Sequence, residues 1–254
     1  MKGAFVLKEI KTNPFRTILT VFLITVAVLC AYQIFISYQM YEGGKDEYEE
    51  VQKTALPKAE LPEDTSTDPG IDWDALYQQN SDIVGWLYFP NSDTINYPIV
   101  QGADNDYYLN HTFEGNESYI GSIFVDYNNR NTFEDQNTIV YGHHLKNGMM
   151  FAGLMNYQDK AYFQENPYFY IYTPNGKTHQ FKIFSAHVTD GGSDVYTYSF
   201  GDIEKYKEWL AAMKSLSNYD TGVTPTETNR VVTLSTCTGY SNTSRMVVQG
   251  VEVN

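Results

Sequence analysis

The stretch Thr233–Val248, TLSTCTGYSNTSRMVV, decides the reading of this chain. It opens with a β-type run that ends on Cys237, passes through a turn rich in Gly, Ser and Asn, and starts a second β-type run at Arg245. Two such runs around a short polar turn predict a hairpin with Cys237 and Arg245 at one end of the sheet. Cys237 is one of only two cysteines in 254 residues, and the other, Cys30, lies in an apolar run near the N-terminus. An isolated cysteine has two readings: a small buried hydrophobe or a reactive thiol whose character depends on its surroundings. The count alone leaves both open, and compartment matters to the choice.

Compartment is read from the N-terminus. Ile18–Ile36, ILTVFLITVAVLCAYQIFI, contains no charge, and the uncharged window runs from Thr17 to Tyr41. About 20 apolar residues cross the hydrocarbon layer as a helix. Secretory leaders have a shorter apolar core and a small-residue cleavage site, and no A-x-A pattern follows here. Lys2, Lys8, Lys11 and Arg16 precede the window, while Glu42, Asp46, Glu47, Glu49 and Glu50 follow it. Positive flanks stay in the cytoplasm. The expected organisation is therefore a cytoplasmic tail (1–16), a transmembrane signal anchor (17–41), an acidic extracellular linker (42–70) and an extracellular globular domain (71–254). A short helical continuation into EYEEVQK is compatible with this pattern. The net charge of −14, from 31 acidic and 17 basic residues, argues against a nucleic-acid partner.

Beyond Ile71, short β-type runs separated by Asn, Gly, Asp and Pro predict a barrel or sandwich. They are TINYPIV, GSIFVDY, NTIVYG, FYIYT, HQFKIFSAHV, RVVTLST and RMVVQGVEV. KNGMMFAGLMNYQDKAYF suits a short helix. DIEKYKEWLAAMKSL predicts a longer one, with Ile203, Tyr206, Leu210 and Met213 on its inner face. IDWDALYQQNSDIVGWLYF reads as a helical turn around Trp73, Leu76 and Tyr77, followed by a turn toward Ile83, Val84 and Trp86.

A nucleophilic cysteine needs a base and a donor for the developing oxyanion. Five histidines follow the apolar window, and His143 and His144 come directly after NTIVYG, where a strand gives way to a loop. Arg245 stays charged and presents rigid donors. No HExxH or paired-cysteine spacing supports a zinc site, and no cofactor is expected.

TLSTC followed by SRMVV closely resembles the signature of sortases, the membrane-anchored cysteine transpeptidases of Gram-positive bacteria. NYPIVQGADNDYYLNHTFEGN, GSIFVDYNN and NTIVYGHHLKNGMMFAGLMNY resemble class B members in particular, and the similarity runs from about Ile71 to Val253. The resemblance implies a mainly β fold: an eight-stranded sortase-type barrel with N-terminal helices and one longer helix between late strands. It implies Cys237 as nucleophile, His143 as acid/base with His144 as second choice, and Arg245 as oxyanion and substrate anchor. By similarity Asn105, Leu109, Tyr196, Ser235 and Thr236 line the peptide groove. Some class B members carry acidic residues just after the cysteine, where this chain has Thr238 and Gly239. The implied partners are secreted proteins with a C-terminal sorting signal. The implied acceptor is an amine of a peptidoglycan precursor, or a pilin lysine if the enzyme polymerises pili. A silent binding module with Cys237 buried is the alternative from another class; a plain cysteine protease is a third.

Overall fold

The computed structural model describes residues 13–56, 69–90, 95–239, 241 and 243–253. Lys2, Lys8, Lys11 and linker residues 57–68 lie outside the described residues. The chain divides into two compact units, 1–42 and 43–254.

Helix α1 spans Pro14–Ala55. Its apolar part is long and hydrophobic enough to cross a membrane, with a mean hydropathy of 2.4 over an 18-residue window. Its last turns belong to the second unit. There Gly44, Tyr48, Val51 and Ala55 are buried. Their spacing of four, three and four residues marks one helical face. Part of the segment expected to be an acidic linker is thus a packed helix. Asp46, Glu49 and Glu50 keep the outer face charged and exposed, which is why composition alone reads as a tether.

The second unit is a closed barrel of eight strands. The strands are β1 (Ile83–Tyr88), β2 (Asn96–Val100), β3 (Ile123–Val125), β4 (Asn137–Tyr141), β5 (Tyr168–Tyr172), β6 (Thr178–Asp190), β7 (Val231–Cys237) and β8 (Ser244–Glu252). Around the ring the order is β1-β2-β3-β4-β7-β8-β6-β5, and β5 pairs with β1 to close it. Two neighbouring pairs, β2/β3 and β4/β7, are parallel. Seven strands coincide with the β-type runs of the sequence; β1 is the eighth. Its IVGWLY is buried on both faces apart from Tyr88, so it lacks the alternation that marks a half-exposed strand. Trp86 is fully buried, and its indole N–H donates to Asn96 Oδ1 at 2.6 Å.

Short helices α2 (Trp73–Gln79) and α3 (Lys160–Glu165) flank the barrel. The segment read as one short helix around Met149–Phe163 is a 3₁₀ stretch, Phe151–Gln158, followed by α3. Helix α4 (Ile203–Leu216) starts on Asp202, whose carboxylate accepts from Lys205 N–H at 2.9 Å. It buries Tyr206, Trp209, Leu210 and Met213 against Phe184, Val231, Val247 and Val251. Ile203 is not part of this face: it is 47% exposed. The inner stripe begins at Tyr206, and it includes Trp209 as well as Leu210 and Met213.

His187 on β6 is buried, with Ser185 Oγ 3.1 Å from its Nδ1. Burial pushes its pKa down from 6.5 to about 4. The folded value lies below the unfolded one, so the unfolded chain takes up the proton first as pH falls. Stability from this group is therefore full above about 6.5 and is lost toward pH 4, roughly 3 kcal/mol in all. Urea unfolding of wild type and His187→Gln at pH 7 and pH 4 checks this: the wild type should lose more stability on acidification, by about that amount.

Candidate active site

The parallel β4/β7 pair and the antiparallel β7/β8 pair set the site. Tyr141 on β4 sits opposite Ser235 on β7. Both chains run the same way, so two residues further along each, His143 and Cys237 emerge at the same end of the barrel. Across the other edge of β7, Cys237 pairs with Arg245, as the hairpin reading expected. Directly opposed residues have neighbouring side chains. Val231–Thr236 are buried, whereas the Cys237 side chain is exposed. The reading of Cys237 as a buried hydrophobe is overturned.

A cleft of about 300 Å³ opens here. All eight expected site residues line it: Cys237, His143, Arg245, Asn105, Leu109, Tyr196, Ser235 and Thr236. His144, the second choice for the base, forms an isolated bridge with Met150 and is absent from the cleft wall. Tyr141 and Asp106 also line the cleft and were not anticipated. Tyr141 belongs to NTIVYG and was read only as strand.

His143 is held on both sides of its Cα. Its backbone carbonyl accepts from Phe151 N–H at 2.9 Å. Gly142 has no room for a side chain: a Cβ there would strike Ile123 and Phe151. The imidazole Nε2 lies 2.7 Å from the Leu109 carbonyl oxygen. A carbonyl only accepts, so Nε2 carries the proton and Nδ1 holds the lone pair in the neutral ring. Leu109 thus enters the site through its backbone carbonyl.

The remaining walls are cross-braced. Tyr196 Oη and Ser235 Oγ are 2.8 Å apart, and the Tyr141 and Tyr196 rings stack at 6.2 Å. Burial pushes both phenols up, with Asp126 adding to the shift at Tyr141. They stay neutral hydroxyls. Asp126 is itself buried and accepts from Tyr141 Oη at 3.0 Å and Asn105 Nδ2 at 2.9 Å. The Asn105 carbonyl oxygen accepts from Tyr127 N–H at 3.1 Å, so both ends of this amide are fixed in orientation. Asp190 is held below the usual carboxylate range by the Gly192 N–H and the Thr243 hydroxyl, with a smaller contribution from the Arg245 guanidinium.

Backbone donors beside the cysteine are limited. Thr238 N–H is engaged by the Ser244 carbonyl at 3.2 Å, and Thr238 Oγ1 donates to Ser244 Oγ at 2.9 Å. After the cysteine, where this chain has Thr238 and Gly239, the hairpin is closed by Thr238–Ser244 hydrogen bonds.

A family profile described as the Sortase domain matches residues 87–253. The chain is 38% identical to Sortase B of Listeria monocytogenes over 177 residues, 69% of this chain and 71% of that one. It is 30% identical to Sortase B of Staphylococcus aureus over 240 residues, 94% and 96% of the two chains. A solved Staphylococcus aureus sortase B–substrate complex superposes with a TM-score of 0.73 at 30% identity, covering 84% of this chain and 97% of that one. Sortase B from B. anthracis in complex with AAEK1 gives 0.73 at 32% identity, covering 85% and 99%.

Asn137 braces the loop that carries Tyr196. Fully buried, it donates to the Val195 and Thr197 carbonyls at 3.1 and 2.9 Å and accepts from Thr233 Oγ1 at 2.7 Å. Asn137→Ala strands these groups and should cost roughly 2–3 kcal/mol. A lower urea midpoint with faster amide exchange at 195–197 is the expected result; unchanged exchange there would remove Asn137 from the bracing of the cleft.

Proposed function

Since the chain belongs to the sortase family, a family of transpeptidases, we propose that Cys237, His143 and Arg245 perform acyl transfer on secreted proteins bearing a C-terminal sorting signal. The reading rests on one observation: an exposed cysteine at the end of β7, directly opposite Arg245 and sharing a cleft with His143. A substrate complex of the Staphylococcus aureus relative supports a sorting peptide as the ligand of this groove.

Cys237 Sγ attacks the carbonyl carbon of the scissile amide, with His143 receiving the thiol proton at Nδ1. The carbonyl oxygen becomes an oxyanion, which the Arg245 guanidinium stabilises. With Thr238 N–H already engaged, Arg245 carries most of this work. His143 then returns the proton to the departing amine as the C–N bond breaks. The product is a Cys237 thioester. An acceptor amine attacks it, His143 takes the amine's proton, and the thiol is regenerated. The acceptor is an amine of a peptidoglycan precursor; a pilin lysine would serve the same chemistry.

The proposed organisation places residues 1–16 in the cytoplasm, 17–41 across the membrane and the barrel outside, from the charge asymmetry of the flanks. Tethering raises the effective concentration of substrates that emerge at the same surface.

The test is mass spectrometry of the chain with a set of sorting pentapeptides, with and without triglycine. A covalent adduct on Cys237, turning to amide product only when triglycine is present, is the expected result. Cys237→Ala should give neither, and Arg245→Ala should lower kcat/KM by about 10²–10³-fold, the usual cost of an oxyanion donor. Acid product at the same rate with or without amine would make the enzyme a hydrolase instead.

A further inference from the structure

Resting on the assignment of His143 above, we propose that Glu47 and Tyr48, on the helical segment just after the apolar part of α1, are positioning residues for His143. They act through the loop 109–122, which carries the carbonyl that holds the imidazole.

Tyr48 is 2% exposed and reaches into this loop. Its hydroxyl donates to the Gly121 carbonyl at 2.8 Å, lies 3.1 Å from Ser122 Oγ and accepts from Phe113 N–H at 3.2 Å. Burial pushes the phenol up, so the hydroxyl remains a donor. Gly121 is the contact point with the site. A Cβ placed there would lie 2.9 Å from His143 Cδ2 and 2.7 Å from the Leu109 carbonyl oxygen, and its φ of +64° is one that suits glycine. The peptide that Tyr48 grips is therefore the one against which the imidazole packs.

Glu47 secures the outer part of the same loop. One carboxylate oxygen accepts from Thr112 Oγ1 at 2.6 Å and Asn116 Nδ2 at 3.0 Å; the other accepts from Glu114 N–H at 2.8 Å. Charge-assisted bonds of this kind are the stronger class. Within the loop, Ser122 Oγ donates to the His111 carbonyl at 2.8 Å and Ser122 N–H to the Tyr108 carbonyl at 2.9 Å. The chain of contacts thus runs from Tyr48 through Gly121 and Ser122 to Tyr108 and Leu109, and on to His143 Nε2, while Glu47 holds residues 112–116 of the same loop. It fixes which imidazole nitrogen bears the proton, and so which nitrogen faces the reaction. General acid–base catalysis depends on that placement.

The experiment uses the full chain in detergent micelles with ¹⁵N-labelled histidine. His143 is assigned by loss of its signals in His143→Gln. Wild type should show His143 as a single Nε2–H tautomer in the neutral ring. Tyr48→Phe keeps the ring, which meets Tyr97 edge-on at 5.5 Å, and removes only the hydroxyl. It should convert His143 to a mixture of tautomers. With the pentapeptide that acylates Cys237 and triglycine as acceptor, it should lower kcat about tenfold while KM stays within about twofold. Glu47→Gln keeps Tyr48 intact, should lower kcat about threefold with the same split, and serves as the folded variant should Tyr48→Phe lose its near-ultraviolet dichroism. A folded variant with wild-type His143 signals and wild-type kcat overturns the proposal, as does a wild-type His143 protonated on Nδ1. If no peptide acylates the wild type, the transpeptidase reading fails by itself, while the tautomer measurement still decides the positioning role.

Discussion

The register of β7 between its two neighbours is the constraint on which the site depends. β7 pairs with β4 in parallel through Tyr141 and Ser235, and with β8 in antiparallel sense through Cys237 and Arg245. A slip of one residue on either side would turn the affected side chains to the opposite face. The register is secured by burial: Val231–Thr236 are all buried. On the face of the barrel that α4 covers, Asn137 Oδ1, Thr233 Oγ1 and Gln249 Nε2 form a linked chain across β4, β7 and β8. Buried polar groups that satisfy one another in this way specify a single alignment, because any shift strands them.

On that frame, orientation is supplied by loops, and the loops are held mostly by backbone carbonyls and carboxylates. The Leu109 carbonyl orients His143, Asp126 orients Asn105 and Tyr141, and Asn137 orients the segment around Tyr196. Each uses a group with fixed donor or acceptor character, which leaves little freedom for amide flips or tautomers. The cleft is thereby preorganised, and preorganised donors act on a developing charge without reorganising as it forms.

The segment after the apolar part of α1 links these two levels. A stretch that composition describes as an acidic tether carries a buried stripe of Gly44, Tyr48, Val51 and Ala55. Gly44 is needed for that packing, since a Cβ there would lie 2.9 Å from Ile120 Cδ1 and from Ser118 Oγ. The barrel thus extends its architecture back toward the apolar part of the chain instead of beginning at Ile71.

Much of this protein was legible from the order of its residues. An uncharged window of membrane-spanning length is a local property, and so are period-two runs and an amphipathic helix; each is written in consecutive side chains. Cys237 and Arg245 were legible for the same reason, since a hairpin brings near neighbours in sequence together. The match of TLSTC and YGHH to a family supplied the rest of the expected cleft. Three things were decided only by the tertiary structure. β1 is buried on both faces, so its sequence has no alternation to read. The inner face of α4 takes Trp209 and leaves Ile203 exposed, a choice made by what the folded barrel presents to the helix. The proton on His143 is placed by a carbonyl 34 residues away in the chain, and that carbonyl by a tyrosine further still. A backbone carbonyl that accepts from a side chain carries no signature in its own residue type, and contacts across long loops have no period, so only the folded chain displays them.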